Sequence, residues 1–184
     1  MRALAVALLM LGALGVCAEE EQAWSMLREG RAVLLLRHAT APGLGDPPGF
    51  VLEDCNTQRN LDEEGRLEAQ RWGDLLRTKG LTGPRVLSSR WCRALETAEL
   101  MRLASVEPMP VLDSFFAQPN RDEKQTQALR RLLVSISGAS PVVLVTHQVN
   151  ITALTGVFPR SGEGLILALP FSDPPKVLAK IPPP

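Results

Sequence analysis

Two histidines, His38 and His147, are the side chains of this sequence best suited to act as a nucleophile or a base. His38 follows Arg37 at the end of an apolar run that starts at Ala32, and His147 ends a similar run that starts at Pro141. Short apolar runs of this kind are typical of inner strands in a parallel sheet with both faces covered. Because ligands bind at the carboxyl ends of such strands, both histidines are predicted to reach one site.

Arginines accompany the histidines at these strand ends. Arg37 directly precedes His38, and a third apolar segment, residues 86–89, leads into a predicted helix that carries Arg90 and Arg93. Guanidinium groups present paired donors that fit phosphate oxygens, and they stay charged at any working pH. The combination indicates an anion bound beside a nucleophile or a base.

In these segments the sequence resembles the histidine phosphatase (phosphoglycerate mutase-like) superfamily. Residues 37–39, Arg-His-Ala, are similar to its Arg-His-Gly signature, and residues 89–98 are similar to its Ser-Pro-Leu-x-Arg-Ala-x-x-Thr-Ala segment. His147 matches the second histidine of the family, and residues 146–154 resemble the His-Asp-x-Asn-Ile segment of its acid phosphatase and phytase branch. The resemblance extends from about residue 22 to the end of the chain, with three motifs in the family's order.

The resemblance implies that both histidines take part in phosphoryl transfer. His38 is the expected nucleophile, which forms a phosphohistidine that water then hydrolyses. His147 is expected to donate a hydrogen bond or positive charge to the transferring group. A neutral imidazole, with an ordinary pKa of about 6.5, needs no metal for this role. We therefore expect neither a metal nor a cofactor.

The same resemblance implies phosphate-binding roles for the arginines. Arg93 stands in the place of the family's phosphate-binding arginine, and Arg37 lies beside the nucleophile. Both are predicted to bind the substrate phosphate. Arg59, in a loop, and Arg90, where the family usually has proline, are further candidates for the same pocket.

The group that protonates the leaving oxygen departs from the family pattern. Gln148 replaces the aspartate of the acid phosphatase branch, and an amide cannot give up a proton at useful pH. The mutase branch has a glutamate in a Leu-x-Glu segment, where this chain has Leu-Asp-Ser at residues 112–114. Asp113, displaced by one position, is either the general acid or the cap of the following turn. Asp122 and Glu123 are the fallback donors.

Composition bounds the protein class. A chain of 184 residues with 45% hydrophobic content can bury one substantial core, so a single domain is expected. Lys+Arg and Asp+Glu both number 20, and this balance gives no basic field that favours nucleic acid. The expected partner is a small phosphorylated substrate or a phosphorylated envelope sugar.

Residues 1–18 have the layout of a secretory signal peptide that is cleaved after Ala18, so the mature chain is expected to span residues 19–184. The apolar run, residues 3–16, is shorter than the roughly 20 residues that span a bilayer. We expect a periplasmic or secreted protein with no membrane span in the mature chain. A lipoprotein anchored through Cys17 ranks second, because a valine precedes this cysteine where a small residue is usual.

Two cysteines, Cys55 and Cys92, remain in the predicted mature chain, in an oxidising compartment. They are either two separate small residues or the partners of a disulfide. Sequence alone cannot place their Cα atoms within bonding range.

Periodicity and turn residues predict a three-layer α/β/α domain. Its sheet is expected to be mainly parallel, with strands at residues 32–36, near 86, at 111–112 and at 141–146, and with an antiparallel edge pair at 165–169 and 177–181. Helices are predicted at about 21–30, 62–80, 91–103, 122–137 and from 148 to 156, and residues 40–55 form a loop at the mouth of the site.

The sequence therefore predicts an exported, metal-independent phosphatase that hydrolyses phosphomonoesters through a phosphohistidine. The alternative is a phosphate-binding module that has lost turnover, consistent with Gln148 and the displaced Asp113. A mutase is less favoured, because the short chain leaves little room to enclose a transferring intermediate. A metal hydrolase is a third option, for which two histidines on separate strand ends are weak evidence.

Overall fold

The computed structural model describes residues 18–138 and 140–184. These residues form a six-stranded mixed sheet with helices on both faces, which confirms the predicted three-layer α/β/α fold. The predicted signal peptide, except for Ala18, and the alternative lipid site at Cys17 lie outside the described residues.

The sheet is mainly parallel and carries an antiparallel pair at its C-terminal edge, as predicted. Its strands are β1 (Ala32–Arg37), β2 (Arg85–Ser88), β3 (Val106–Pro108), β4 (Val142–Thr146), β5 (Gly164–Ala168) and β6 (Val177–Ile181). They lie in the order β3-β2-β4-β1-β5-β6. Strands β1 to β4 are parallel, whereas β5 pairs antiparallel with both β1 and β6.

Five helices cover the two faces of the sheet. They are α1 (residues 18–28), α2 (Glu63–Thr78), α3 (Cys92–Leu100), α4 (Asp122–Ser135) and α5 (Gln148–Thr155). Side chains of α1, α2 and α3 share one core cluster, and side chains of α4 and α5 share the other. Within the described residues, no helix is both long and apolar enough to cross a membrane.

Strand β1 is apolar without interruption because it contributes to both cores. Leu34 and Leu36 belong to the cluster with α1 to α3, while Val33 and Leu35 belong to the cluster with α4 and α5. Alternate side chains of a strand point to opposite faces, so a central strand of this kind needs apolar residues at every position. The central position of β1 places its carboxyl end in the middle of one sheet edge.

The predicted strand at residues 111–112 is wrong. Pro110–Leu112 form a 3₁₀ turn, and the edge strand lies earlier, at Val106–Pro108. Pro110 occupies the first turn of this 3₁₀ segment, where its fixed φ is favourable and its missing N–H is not needed. Pro108 is tolerated because β3 is an edge strand and pairs only with β2.

Helix α2 packs unusually close to two other segments through glycines. A Cβ atom on Gly65 would stand 2.0 Å from the carbonyl oxygen of Thr40, and one on Gly73 would stand 2.1 Å from that of Met101. Both distances are far inside van der Waals contact. The glycines therefore set how closely α2 approaches the loop after β1 and the end of α3.

Candidate active site

The carboxyl ends of β1, β2 and β4 bring the predicted histidines together. His38 directly follows β1, Ser89 follows β2, and His147 follows β4 as the N-cap of α5. Both histidines are buried, and their ring centroids lie 5.3 Å apart. The convergence of strand ends predicted from the sequence is therefore present in the fold.

The backbone around His38 is fixed from three sides. The His38 amide donates to the Thr146 carbonyl at 2.9 Å, and its own carbonyl accepts from the Gly162 amide at 3.1 Å. The Ala39 amide donates to the Thr97 hydroxyl at 3.1 Å. The nucleophile candidate thus stands on a backbone held by β4, by the loop before β5 and by α3.

The hydrogen bonds of the His38 ring assign its tautomer. Nδ1 lies 2.8 Å from the Ala39 carbonyl oxygen, which can only accept, so Nδ1 carries the proton. Nε2 lies 3.2 Å from Nε of Arg93, which can only donate. Nε2 therefore keeps the lone pair that a nucleophile needs.

Both histidines are held neutral by their surroundings. Burial, followed by the charge of Arg93, lowers the pKa of His38 well below its ordinary value. The same two causes, in the same order, lower the pKa of His147. A neutral imidazole is the form that can attack phosphorus.

Two buried polar atoms of residues near His38 have no partner among the described residues. They are Nδ1 of His147 and Nε of Arg37. The other ends of these side chains are anchored: His147 Nε2 lies 2.7 Å from the Ser89 hydroxyl, and Arg37 donates to the Pro159 carbonyl at 2.9 Å. Buried polar groups are usually paired, so these atoms mark a place where a polar ligand would be bound.

Arg93 is buried in an ion pair that the sequence did not predict. Its side chain is 3% exposed and that of Asp46 is 9% exposed, with Nη1 and Oδ1 2.7 Å apart. Asp46 also accepts from the Trp91 indole at 3.0 Å and from the Arg59 amide at 3.1 Å. Burial, the largest single influence, would raise the pKa of Asp46, but the hydrogen bond and charge of Arg93, with the hydrogen bonds from Arg59 and Trp91, together hold this pKa below its usual range.

Arg59 lies in the site and also shapes the loop that carries Asp46. Its Nε donates to the Gly45 carbonyl at 2.9 Å, and its Nη1 donates to the Ala41 carbonyl. Burial, followed by the charge of Arg93, lowers the pKa of Arg59 to about 10, so the guanidinium remains charged near neutral pH.

Arg90 and Asp113, both predicted site residues, contact each other instead of the cavity. Nε and Nη2 of Arg90 donate to Oδ2 of Asp113 at 2.9 and 2.6 Å, and the Arg90 amide donates to Oδ1 at 2.9 Å. Asp113 also accepts from the Ser89 hydroxyl at 3.4 Å, which links it indirectly to His147. The role of general acid stays a prediction.

The cavity at this sheet edge has a volume of about 100 Å³. Asp122 and Glu123, the fallback proton donors, are exposed at the start of α4 and do not line it. Among the described residues, no group of three or more His, Cys, Asp and Glu is placed to hold a metal ion. The lining consists of Arg37, His38, Gly43, Leu44, Gly45, Asp46, Phe50, Arg59, Trp91, Arg93, Ser114, Phe116, Ala117, His147, Gln148 and Val149.

A disulfide ties the loop to the helix that carries Arg93. Cys55 and Cys92 are bonded, with their Cα atoms 5.7 Å apart. Next to this bond, the Gln58 side chain accepts a hydrogen bond from the Cys92 amide at 3.0 Å. The bond joins the segment that contributes Asp46 and Arg59 to the first residue of α3.

The fold occurs in solved structures of the histidine phosphatase superfamily. The protein histidine phosphatase SixA, complexed with tungstate, matches with a TM-score of 0.58 and 19% identity over 83% of this chain and 97% of that chain. A phosphoserine phosphatase from Entamoeba histolytica, in complex with 3-phosphoglyceric acid, matches with a TM-score of 0.59 and 13% identity over 82% of this chain and 96% of that chain. A mycobacterial glucosyl-3-phosphoglycerate phosphatase, in complex with inorganic phosphate, matches with a TM-score of 0.54 and 17% identity over 80% of this chain and 94% of that chain.

No family model matches the sequence, and no curated protein sequence is significantly similar to it. At the identities of the structural matches, the similarity establishes the shared fold, which is the fold that the sequence motifs implied.

Removal of the disulfide is expected to destabilise the protein. A bond that closes a segment of 37 residues contributes about 4 kcal/mol to the free energy of unfolding in the chain-entropy account. Urea unfolding of a Cys55→Ser, Cys92→Ser double variant measures this loss. Reductant should lower the stability of the wild type and leave the variant unchanged. A wild-type protein that is equally stable with and without reductant would contradict the assignment.

Stability is expected to decrease as the pH falls below about 6.5, the ordinary pKa of histidine. The pKa values of His38 and His147 are lower in the folded protein, so the unfolded chain binds protons that the folded chain does not. The free energy of unfolding should then fall by up to about 1.4 kcal/mol per pH unit for each histidine.

Urea unfolding at a series of pH values across this window measures the slope. A His38→Gln, His147→Gln variant is the control and should show a shallower slope, because glutamine does not titrate. Equal slopes in the two proteins would show that other groups cause the pH dependence.

Proposed function

We propose that this chain is a phosphatase of the histidine phosphatase superfamily that hydrolyses phosphomonoesters through a phosphohistidine on His38. The observation that carries the proposal is the His38 ring, whose Nε2 keeps its lone pair while Nε of Arg93 lies 3.2 Å away. A nucleophile and a phosphate-binding group thus face each other in a buried site. The fold shared with solved phosphatases supports this proposal.

The charges that line the cavity suit a phosphomonoester, which carries about two negative charges near neutral pH. Arg37, Arg59 and Arg93 contribute three positive charges and Asp46 one negative charge. The net charge of the site is therefore opposite and equal to that of the dianion. Bound phosphate would replace the contact between His38 Nε2 and Arg93 Nε, and it would accept from Arg93 and from the unpaired Nε of Arg37.

The reaction proceeds in two displacements. The lone pair of His38 Nε2 forms a bond to phosphorus, while the bond from phosphorus to the leaving oxygen breaks and its electron pair departs with that oxygen. A water molecule then attacks the phosphohistidine and loses a proton to solvent. The nitrogen–phosphorus bond breaks, which releases inorganic phosphate and restores the lone pair of Nε2.

His147 stabilises the transferring group from the other side of the cavity. Its Nε2 is held by Ser89, and its Nδ1 has no partner among the described residues. The negative charge of bound phosphate opposes the burial that keeps His147 neutral, and it favours the protonated ring. Nδ1–H then donates to a phosphoryl oxygen on which charge accumulates.

The second candidate is a phosphate-binding module without turnover. It is favoured by the ion pair between Asp46 and Arg93, which occupies the two Nη atoms of the arginine, and by an amide at Gln148. Both candidates bind phosphate, and only the first releases it from an ester. Phosphate release is therefore the observation that separates them.

We also propose that the protein works outside the cytoplasm, as a mature chain of residues 19–184. The disulfide between Cys55 and Cys92 supports an oxidising compartment, since disulfides are rare in reducing ones. A small phosphorylated compound or a phosphorylated envelope sugar is the substrate class proposed from the sequence.

Replacement of His38 by alanine is expected to abolish phosphate release from p-nitrophenyl phosphate, because no other group supplies the attacking lone pair in this proposal. Release should persist in the wild type when a metal chelator is present. Phe158→Ala, a change at an exposed residue outside the cavity, is the control for folding and handling. Unchanged turnover in His38→Ala would remove the nucleophile assignment.

Lysine at position 93 should be far more damaging than lysine at position 90. Arg93 is buried beside the nucleophile, whereas Arg90 is exposed and contacts Asp113 outside the cavity. Lysine keeps the charge and loses the paired donors. We expect kcat/KM to fall by roughly a hundredfold for Arg93→Lys, the scale for a lost charge-stabilising donor, and by less than about threefold for Arg90→Lys, as for surface changes. Equal losses would contradict this assignment.

A further inference from the structure

The dimensions of the cavity limit what it can enclose. Its volume of about 100 Å³ is well below the roughly 300–1,000 Å³ of pockets that surround a whole drug-sized ligand. The charged groups at its floor therefore suit the phosphoryl group alone. The leaving group of a substrate must lie on the rim.

An aromatic wall runs from the floor of the cavity to this rim. The ring centroids of His38 and His147 lie 5.3 Å apart, those of His147 and Trp91 5.6 Å, and those of Trp91 and Phe50 5.7 Å. All four rings line the cavity. These spacings are those of interacting aromatic pairs, so a further flat ring can pack against the wall.

Two further large apolar side chains line the cavity, in a lining that also contains Ser114 and Gln148. Leu44 is 87% exposed and Phe116 is 46% exposed, and both line the cavity. Phe116 packs over Gly45, where an added Cβ would lie 3.4 Å from its ring. Sugar hydroxyl groups placed against these two side chains would lose water without gaining partners from them, whereas a hydrocarbon ring would bury apolar surface.

The cavity also favours a leaving group that departs without a proton. The carboxylate that lines it, Asp46, is bound to Arg93, to Trp91 and to a backbone amide, and so it is fixed as an acceptor. Gln148 has an amide, which cannot give up a proton, and the protonated His147 of the proposed function directs its Nδ1–H at a phosphoryl oxygen and not at the leaving oxygen. A phenol, with a pKa of about 10, leaves readily as the anion, whereas a sugar or glycerol alkoxide needs protonation.

From the aromatic rim and the fixed carboxylate we infer that the substrates are aryl phosphates, in which the phosphoryl group is esterified to a phenol oxygen. This inference rests on the proposed function and specifies its substrate class. It narrows the phosphomonoesters proposed above to aryl esters. Of the two substrate classes proposed from the sequence, it retains the small phosphorylated compound and excludes the phosphorylated envelope sugar as the preferred substrate.

The first displacement then balances without a donor from the protein. The lone pair of His38 Nε2 forms the bond to phosphorus, and the electron pair of the breaking phosphorus–oxygen bond stays on the phenolate. The phenolate takes its proton from solvent after release. Hydrolysis of the phosphohistidine follows as before.

The test compares phenyl phosphate with glycerol phosphate and a hexose phosphate on the full mature chain. We expect kcat/KM for phenyl phosphate to exceed that for either alkyl phosphate by roughly a hundredfold or more, the usual worth of a missing general acid. The His38→Ala variant is assayed with every substrate in parallel with the wild type. Alkyl phosphates turned over within tenfold of phenyl phosphate would overturn the inference.

Substitutions of the aromatic residues at the rim provide a second test of the aryl specificity. Phe116→Ala and Phe50→Ala should raise KM for phenyl phosphate by roughly five- to tenfold, the scale of one aromatic contact, with little change in kcat. Their KM for glycerol phosphate should stay the same. Phe158→Ala, which removes a ring that is 71% exposed and outside the cavity, is the matched control. Rim variants indistinguishable from this control would also overturn the inference.

The outcomes distinguish a failure of the aryl specificity from a failure of the phosphatase function. Turnover that depends on His38 but favours the hexose phosphate or glycerol phosphate overturns the aryl specificity and leaves the phosphatase function intact. Loss of activity on alkyl phosphates alone in an Asp113→Asn variant would also overturn the aryl specificity and leave the phosphatase function intact, because it would identify Asp113 as the proton donor. No turnover of any substrate overturns both.

Discussion

The buried guanidinium of Arg93 is the constraint on which the site depends. A charge with 3% of its side chain exposed is stable only with a close partner, because removing one member of a buried pair costs about 3–5 kcal/mol. Asp46 supplies this partner from a loop that is 47 residues away in the sequence. The loop must therefore fold back over α3, and Arg59 and the disulfide hold it in that position.

The same charge sets the chemistry of the histidines. Burial is the largest cause of the low pKa of both His38 and His147, and the charge of Arg93 is the largest electrostatic cause. Under the proposed function, a site that binds an anion through arginine keeps its nucleophile unprotonated without a neighbouring base. Binding and activation are two consequences of one arrangement, and a change at Arg93 alters both.

The sequence predicted the parts of this site that depend on local pattern. The unbroken apolar run of β1 and its end at Arg37 and His38 define a central strand and its reactive end. Asp46 could not be found in this way, because its partner is distant and a Gly- and Pro-rich loop has no periodicity. The pairing of Arg90 with Asp113 was missed for the same reason: it joins the end of β2 to the residue after a 3₁₀ turn that was predicted as a strand.

Direct detection of the phosphoenzyme tests whether His38 is the nucleophile. The mature protein is mixed with p-nitrophenyl phosphate, quenched in base within one turnover, and digested for mass spectrometry. One phosphoryl group is expected on the peptide that contains His38, stable in base and lost in acid. A phosphoryl group on a serine, an aspartate or another histidine, or steady turnover with no phosphoenzyme at any time, would contradict this assignment.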